Sequence, residues 1–262
     1  SIYATKLSGA TASLIGFALG VYGLTQALLQ IPFGMLSDKI GRKPVIAAGL
    51  VLFAIGSVIA ASADSIYGVI IGRAIQGAGA IGSTIIALAA DLTREEQRTK
   101  AMAIIGLSIG FSFTIAMAIS PVLNNWIGVN GIFWLTAGLA LLGLFVTFVL
   151  VPKTKAHKFH RDAEVEPTQL KMILKNPELL RLDFGILVLH AMLTALFLII
   201  PLTLQQIAGV PESRQWIIYL PVLILSFICM LPFIIIAEKK RKIKQIFIGA
   251  IATLIIAQLI LF

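Results

Sequence analysis

The sequence predicts an all-α polytopic membrane protein. Three observations carry that prediction: an apolar excess, apolar runs of bilayer-spanning length, and basic residues confined to alternate connections. Hydrophobic residues make up 58% and charged residues 13% of the 262, and the mean hydropathy is +0.98. A soluble domain of this size would have more apolar surface than one core could hide, so the excess must face lipid. Buried helices of a large soluble protein would still need polar faces at helical period, and these runs lack them.

Eight apolar runs read as spans, at residues 13–36, 44–62, 66–90, 99–122, 127–151, 182–205, 215–237 and 246–262. Crossing a bilayer takes roughly 20 residues, so most are long enough with some tilt. Between the first two lies Gly34-Met-Leu-Ser-Asp-Lys-Ile-Gly-Arg-Lys-Pro44, a charged, glycine-punctuated turn that predicts a tight hinge. Asp64 can cap the third span. Thr93-Arg-Glu-Glu96 fits a capping box before the fourth, with Thr93 accepting from first-turn N–H groups and Glu96 reaching back. Asn176-Pro177-Glu178 sets a capping residue, an N1 proline and an acid before the sixth.

The only long polar connection precedes that sixth span and contains His157 and His160. We read it as a linker, with a short surface helix around Gln169 to Leu174. Its histidines are expected to be solvated, because no third residue has metal-ligand spacing. The expected organisation is an N-terminal helical bundle over 1–151 that lacks its first helix, a cytoplasmic linker over 152–181, and the first three helices of a C-terminal bundle over 182–262.

Lys and Arg are retained on the cytoplasmic side during insertion. Eighteen of the 21 fall in four alternate connections, predicting cytoplasmic loops at 37–44, 91–100, 152–181 and 238–245. Tyr3, Tyr67, Trp126, Trp216 and Tyr219 fall near the opposite ends, where amphipathic rings prefer the interface. The net charge of +9 is therefore a topology signal that also attracts anionic lipid headgroups. Nucleic-acid binding would need basic residues on a folded polar face, which this pattern does not offer. The one cysteine, Cys229, lies inside a span and rules out an intrachain disulfide framework.

An internal repeat appears at an offset of 200 residues: Pro32-Phe33 aligns with Pro232-Phe233, Asp38 with Glu238, Lys39 with Lys239, and Arg42 with Lys242. Parallel repeats of this kind occur in transporters. Extending the register places partner helices outside the chain, one before Ser1 and three after Phe262. The expectation is thus about eight of twelve transmembrane helices.

With the hinge, the chain resembles the major facilitator superfamily, in its drug:proton antiporter branch and most closely the YajR-type bacterial inner-membrane transporters. The likeness extends over essentially all 262 residues. That family's loop between its second and third helices has the pattern G-x-L-[SA]-D-[RK]-x-G-R-[RK], met at Gly34, Leu36, Ser37, Asp38, Lys39, Gly41, Arg42 and Lys43. The resemblance implies that Asp38 caps a helix of the other half in the outward-facing state. It also implies that Arg42 pairs with Asp91, forming a latch between states. The repeat loop at Glu238 to Lys244 lacks both glycines.

Arg73, in Gly72-Arg-Ala-Ile-Gln-Gly-Ala-Gly79, is the only Lys or Arg well inside a span. A buried arginine costs roughly 2.5–3.5 kcal/mol on insertion scales, so it normally faces a wet cavity or a partner. The run resembles the family's fourth-helix motif R-x-x-Q-G, which implies a role for Arg73 in proton coupling or substrate positioning, with Gln76 one turn on. Arginine does not titrate, so it would tune a nearby carboxylate or an anionic substrate; the alternative is a side chain that snorkels to the outer interface. Gly106-x-x-x-Gly110, with Ser120-Pro121 beyond, resembles the fifth-helix antiporter signature, which implies close packing at the glycines and a bend at Pro121. Serine here stands where the signature has glycine.

His190 lies mid-span and could titrate as a proton site or serve as a packing histidine. Tyr22, Gln26 and Gln30 could line a cavity, with Tyr22 and Gln26 on one helix face. No phosphate-binding G-x-x-x-x-G-K loop is present, nor a nucleophile–base or metal constellation, so neither ATP-driven transport nor an enzyme is expected. No cofactor is expected. The reading is a proton-coupled secondary transporter that exports amphipathic small molecules or drugs by alternating access. The alternatives are proton-coupled movement of a sugar or organic anion, and a non-transporting membrane scaffold or sensor. The implied partners are a small-molecule substrate, protons and membrane lipids; nothing in the sequence fixes an oligomeric state.

Overall fold

Apolar runs that cannot hydrogen-bond to lipid must satisfy their own backbone, and helices do so within one segment. In the computed structural model, which describes residues 7–79, 81–152, 175–211, 214–239 and 243–261, eight helices account for nearly all of the described chain. They are α1 (Ala12–Ile40), α2 (Arg42–Ala61), α3 (Ile66–Ala78), α4 (Gly82–Leu92), α5 (Glu95–Val149), α6 (Pro177–Gln206), α7 (Trp216–Lys239) and α8 (Ile243–Leu261). Six described stretches are long and apolar enough to cross a membrane: Ser13–Ile40, Arg42–Ala61, Ile66–Leu92, Glu95–Met117, Ile119–Val149 and Pro177–Gln206. The last two expected spans correspond to α7 and α8, which contain the described apolar stretches Trp216–Met230 and Lys244–Ile260.

Helix ends follow local chemistry, with two departures from expectation. Asn176 accepts from the N–H groups of Glu178 and Leu179, with Pro177 in the first turn, so α6 starts inside the stretch read as linker. The cap of α3 is Ser65, whose side chain accepts from Gly68 N at 3.3 Å, and not Asp64, whose backbone carbonyl accepts from Ser8. The box at Thr93 does not form. Thr93 Oγ1 instead donates back to Ala89 O at 2.6 Å, which satisfies the hydroxyl on the preceding helix.

The third expected span is broken into α3 and α4. Gly79 ends α3, and α4 starts after Ile81 without a side-chain cap. The 55-residue α5 turns at Gly128, where φ is +66°, a backbone that favours glycine, and its two arms match the fourth and fifth expected spans.

The bundle is held by backbone proximity. A Cβ on Gly56 would lie 2.5 Å from Gly72 O and from Gln76 N, and one on Gly79 would lie 2.5 Å from Gly49 O. So α2 and α3 meet without side chains between them, the close approach that small residues permit in membranes. By contrast, Gly16 and Gly20 have no neighbour within 4 Å. α5 packs on α2 and α4, and α7 touches α5 and α8. Large apolar side chains such as Leu28, Ile104 and Phe111 point outward, as lipid contact requires. His157, His160, the helix expected near 169–174, and the basic residues 240–242 lie outside the described residues.

Candidate functional site

At one end of the bundle the hinge closes on Arg42. Gly41 carries φ +98° and serves both as the last cap of α1 and the first of α2, so the chain reverses without a linker. That reversal turns Arg42 inward, where it is 3% exposed. Its Nε donates to Asp91 Oδ2 at 3.1 Å and its Nη1 donates to both Asp38 Oδ1 and Ser37 Oγ, the latter at 2.7 Å. Ser37 in turn donates to Gly34 O at 2.7 Å, and Gly34 is itself buried. Two carboxylates and a hydroxyl thus share one guanidinium, a planar fork suited to such bridging. Lys43 Nζ donates to Val151 O, tying α2 to the end of α5. Lys39 is exposed.

Deeper in the helices, Arg73 Nη1 donates to Gln76 Oε1 at 3.0 Å. Gln76, 2% exposed, donates through Nε2 to Ser57 Oγ at 2.7 Å, and Ser57 donates to Phe53 O at 2.7 Å. On its other side the Arg73 guanidinium sits over the Tyr22 ring, 4.4 Å from the centroid, in cation–π contact. Beyond Tyr22 opens a cavity of about 440 Å³ between α1, α2 and the second arm of α5, lined by Tyr22, Gln26, Phe53 and Thr136. Its floor is the break between α3 and α4, at Gly79, Ile81 and Gly82. Interrupted helices at a cavity are a recurrent way to place polar backbone inside a membrane protein.

A helical bundle with an ion-paired hinge and an arginine stacked on a cavity-lining ring is a transporter-like arrangement, and comparison with known proteins agrees. The sequence matches the Major Facilitator Superfamily over residues 1–262. The chain belongs to that superfamily.

Among its superfamily relatives, the inner membrane transport protein YajR of Escherichia coli is 47% identical over 259 residues, covering 99% of this chain and 57% of YajR. The class G tetracycline resistance protein of Vibrio anguillarum is 28% identical over 205 residues, covering 78% of this chain and 49% of its own. The multidrug resistance protein MdtH of Proteus mirabilis is 23% identical over 240 residues, covering 88% of this chain and 57% of its own. The chain spans about half the length of these relatives. Membership and the six stretches long and apolar enough to cross a membrane make it an integral inner-membrane protein of a transporter superfamily.

In superfamily terms, the two motifs come together as two separate clusters. Asp38, Arg42 and Asp91 join at the hinge; Tyr22 and Gln26 line the cavity, with Arg73 over the Tyr22 ring and Gln76 bonded to Arg73. His190 stays apart: it is exposed, and its Nδ1 lies 3.0 Å from Ile186 O on its own helix. Gly106 has no described neighbour within 4 Å, and Gly110 O accepts from Thr114 Oγ1 at 2.9 Å. Pro121 sits within α5, whose backbone leaves the helical region seven residues later, at Gly128. Sequence reasoning missed two partners. Ser37 stood inside the loop motif, but nothing gave its hydroxyl a role. Ser57, a lone small polar residue in an apolar run, gave no signal at all.

Proposed function

We propose that the protein is a proton-coupled secondary transporter that exports amphipathic small molecules by alternating access. One observation carries the reading most: a buried network fixes the guanidinium of Arg73 inside a span, against a ring that lines a cavity. A fixed intramembrane charge of this kind is a functional feature by default, since a scaffold gains nothing from its cost. Tyr22 and Gln26 form the substrate wall, and Arg73 with Gln76 form the coupling pair beside it. Asp38, Arg42 and Asp91, with Gly34, Gly41, Lys39 and Lys43, form the conformational gate at the cytoplasmic end. There the basic loops meet anionic headgroups.

Drug export is favoured over metabolite uptake by the names of two relatives, a tetracycline resistance protein and a multidrug resistance protein. The test is proton flux in everted vesicles holding the complete gene product. Drug-induced proton release that is lost in Arg73→Ala, with folded protein retained in the membrane, supports the reading. A response to sugars or organic anions but not drugs moves the assignment to metabolite transport. Silence to every compound from folded protein overturns transport in favour of the scaffold reading.

A further inference from the structure

We infer that Ser57 is a positioning residue for Arg73: it fixes the side-chain amide of Gln76, and through that amide the way the guanidinium is held over the Tyr22 ring. The inference rests on reading Arg73 as the coupling residue. Every contact it uses lies on α1, α2 and α3, within residues 22–76. Arginine keeps its charge at any physiological pH, so its influence on a coupled carboxylate or substrate is set by where the guanidinium is held.

Chemistry at the two ends fixes the direction of every bond. A guanidinium has only donors, so the Gln76 atom 3.0 Å from Arg73 Nη1 must be the amide oxygen. That turns the amide nitrogen toward α2, where Ser57 Oγ, 2.7 Å away, must accept. The Ser57 proton then goes to Phe53 O, a group that only accepts, at 2.7 Å. An amide turned the other way would set donor against donor at Arg73, so the relay has one polarity. With no hydroxyl at position 57, the amide is held from the Arg73 side alone. The backbone is built for this reach. A Cβ on Gly56, beside Ser57, would lie 2.5 Å from Gln76 N and 2.9 Å from Gln76 Cγ. The Gln76 stem therefore lies directly on the α2 backbone, buried together with Ser57. On the opposite side, a Cβ on Gly77 would lie 2.3 Å from Tyr22 O, so α3 is pressed on α1 as well. Backbone contact thus brings ring and guanidinium together, and the bond to Gln76 restrains what remains, rotation of the guanidinium itself.

The test is nitrogen NMR of the complete protein, labelled at the arginine guanidinium nitrogens, in phosphatidylcholine bilayers. The Arg73 signals are identified by their loss in Arg73→Lys. A held guanidinium gives two Nη signals, and rotation exchanges them. Ser57→Ala should quicken that exchange roughly three- to ten-fold, the effect of one hydrogen bond. Ser57→Thr and Ser57→Val have the same shape, with and without the hydroxyl. Threonine should keep the wild-type exchange rate and valine should not, which separates positioning from packing even where alanine weakens the fold. In the everted-vesicle assay, Ser57→Ala and Ser57→Val should lower the maximal rate of drug-driven proton release, and Ser57→Thr should restore it.

Exchange at the wild-type rate in both Ser57→Ala and Ser57→Val overturns the inference, as does equal exchange in the threonine and valine variants. Quickened exchange in Ser57→Ala with an unchanged maximal rate of release overturns it too, because the orientation would then not matter to coupling. These outcomes are separable from the transport reading. Proton flux in wild-type protein with Arg73 exchange indifferent to residue 57 sinks this inference alone. Exchange that follows the hydroxyl, in a protein that moves no compound, sinks transport alone.

Discussion

The side-chain amide of Gln76 on α3 is shared between two helices: it donates to Ser57 on α2 at 2.7 Å and accepts from Arg73 at 3.0 Å. Removing the Ser57 hydroxyl leaves that buried donor without a partner, which costs about 1–3 kcal/mol. Ser57→Ala should therefore lower the denaturation midpoint of the purified protein. Ser57→Thr, which keeps the hydroxyl, should recover part of the loss.

At the hinge, Arg42 is buried between two acids on different helices. Removing one partner of a buried pair typically costs about 3–5 kcal/mol, because the remaining charge is stranded. Arg42→Ala and Asp91→Ala should each destabilise strongly, and the double variant by clearly less than the sum. A double-mutant cycle in reversible unfolding with a coupling below about 0.5 kcal/mol would contradict the bridge.

The contact of α2 with α3 leaves no room for a methyl group. Gly56→Ala places its Cβ 2.5 Å from backbone atoms of α3, so the helices must separate, at a cost of about 1–3 kcal/mol. Gly20→Ala meets nothing and should be neutral or stabilising, since alanine is favoured by about 1 kcal/mol within a helix. Comparative thermal stability of the two variants decides the matter.

The turn in α5 gives the fourth prediction. At Gly128, with φ +66°, alanine is strained, and Gly128→Ala should cost about 1–2 kcal/mol despite open space around the residue. Pro121→Ala should cost less. If Pro121→Ala proves the more disruptive of the two in thermal unfolding, the turn is set by the proline.

What could be read from the sequence was whatever hydropathy and local spacing encode. Apolar length located the spans, Asn176-Pro177 the start of α6, and an i,i+3 relation the Arg73–Gln76 pair. The break at Gly79–Gly82 was hidden because its residues are small and apolar, so hydropathy runs through it uninterrupted; only the density of glycine hinted at it. Thr93 misled because a hydroxyl between two helices can serve either, and here the preceding carbonyl is nearer. The stacking of Arg73 on Tyr22 and the bond from Gln76 to Ser57 are contacts between helices, and no local pattern carries them. The pairing of Arg42 with Asp91 was anticipated only through family resemblance.

The bonds that close the hinge also set a schedule for biosynthesis. Arg42 meets Asp91, 49 residues later, and Lys43 meets the carbonyl of Val151, 108 residues later. At translation rates of about 5–20 residues per second, these delays are roughly 2–10 s and 5–22 s. During that interval Arg42, already at a membrane surface, has only Asp38 and Ser37 of this cluster to hold it, and Lys43 awaits its carbonyl. The ribosome must deliver the last turn of α5 before the first turn of α2 is fully secured, so water, headgroups or the insertion machinery hold that end of the nascent bundle until then.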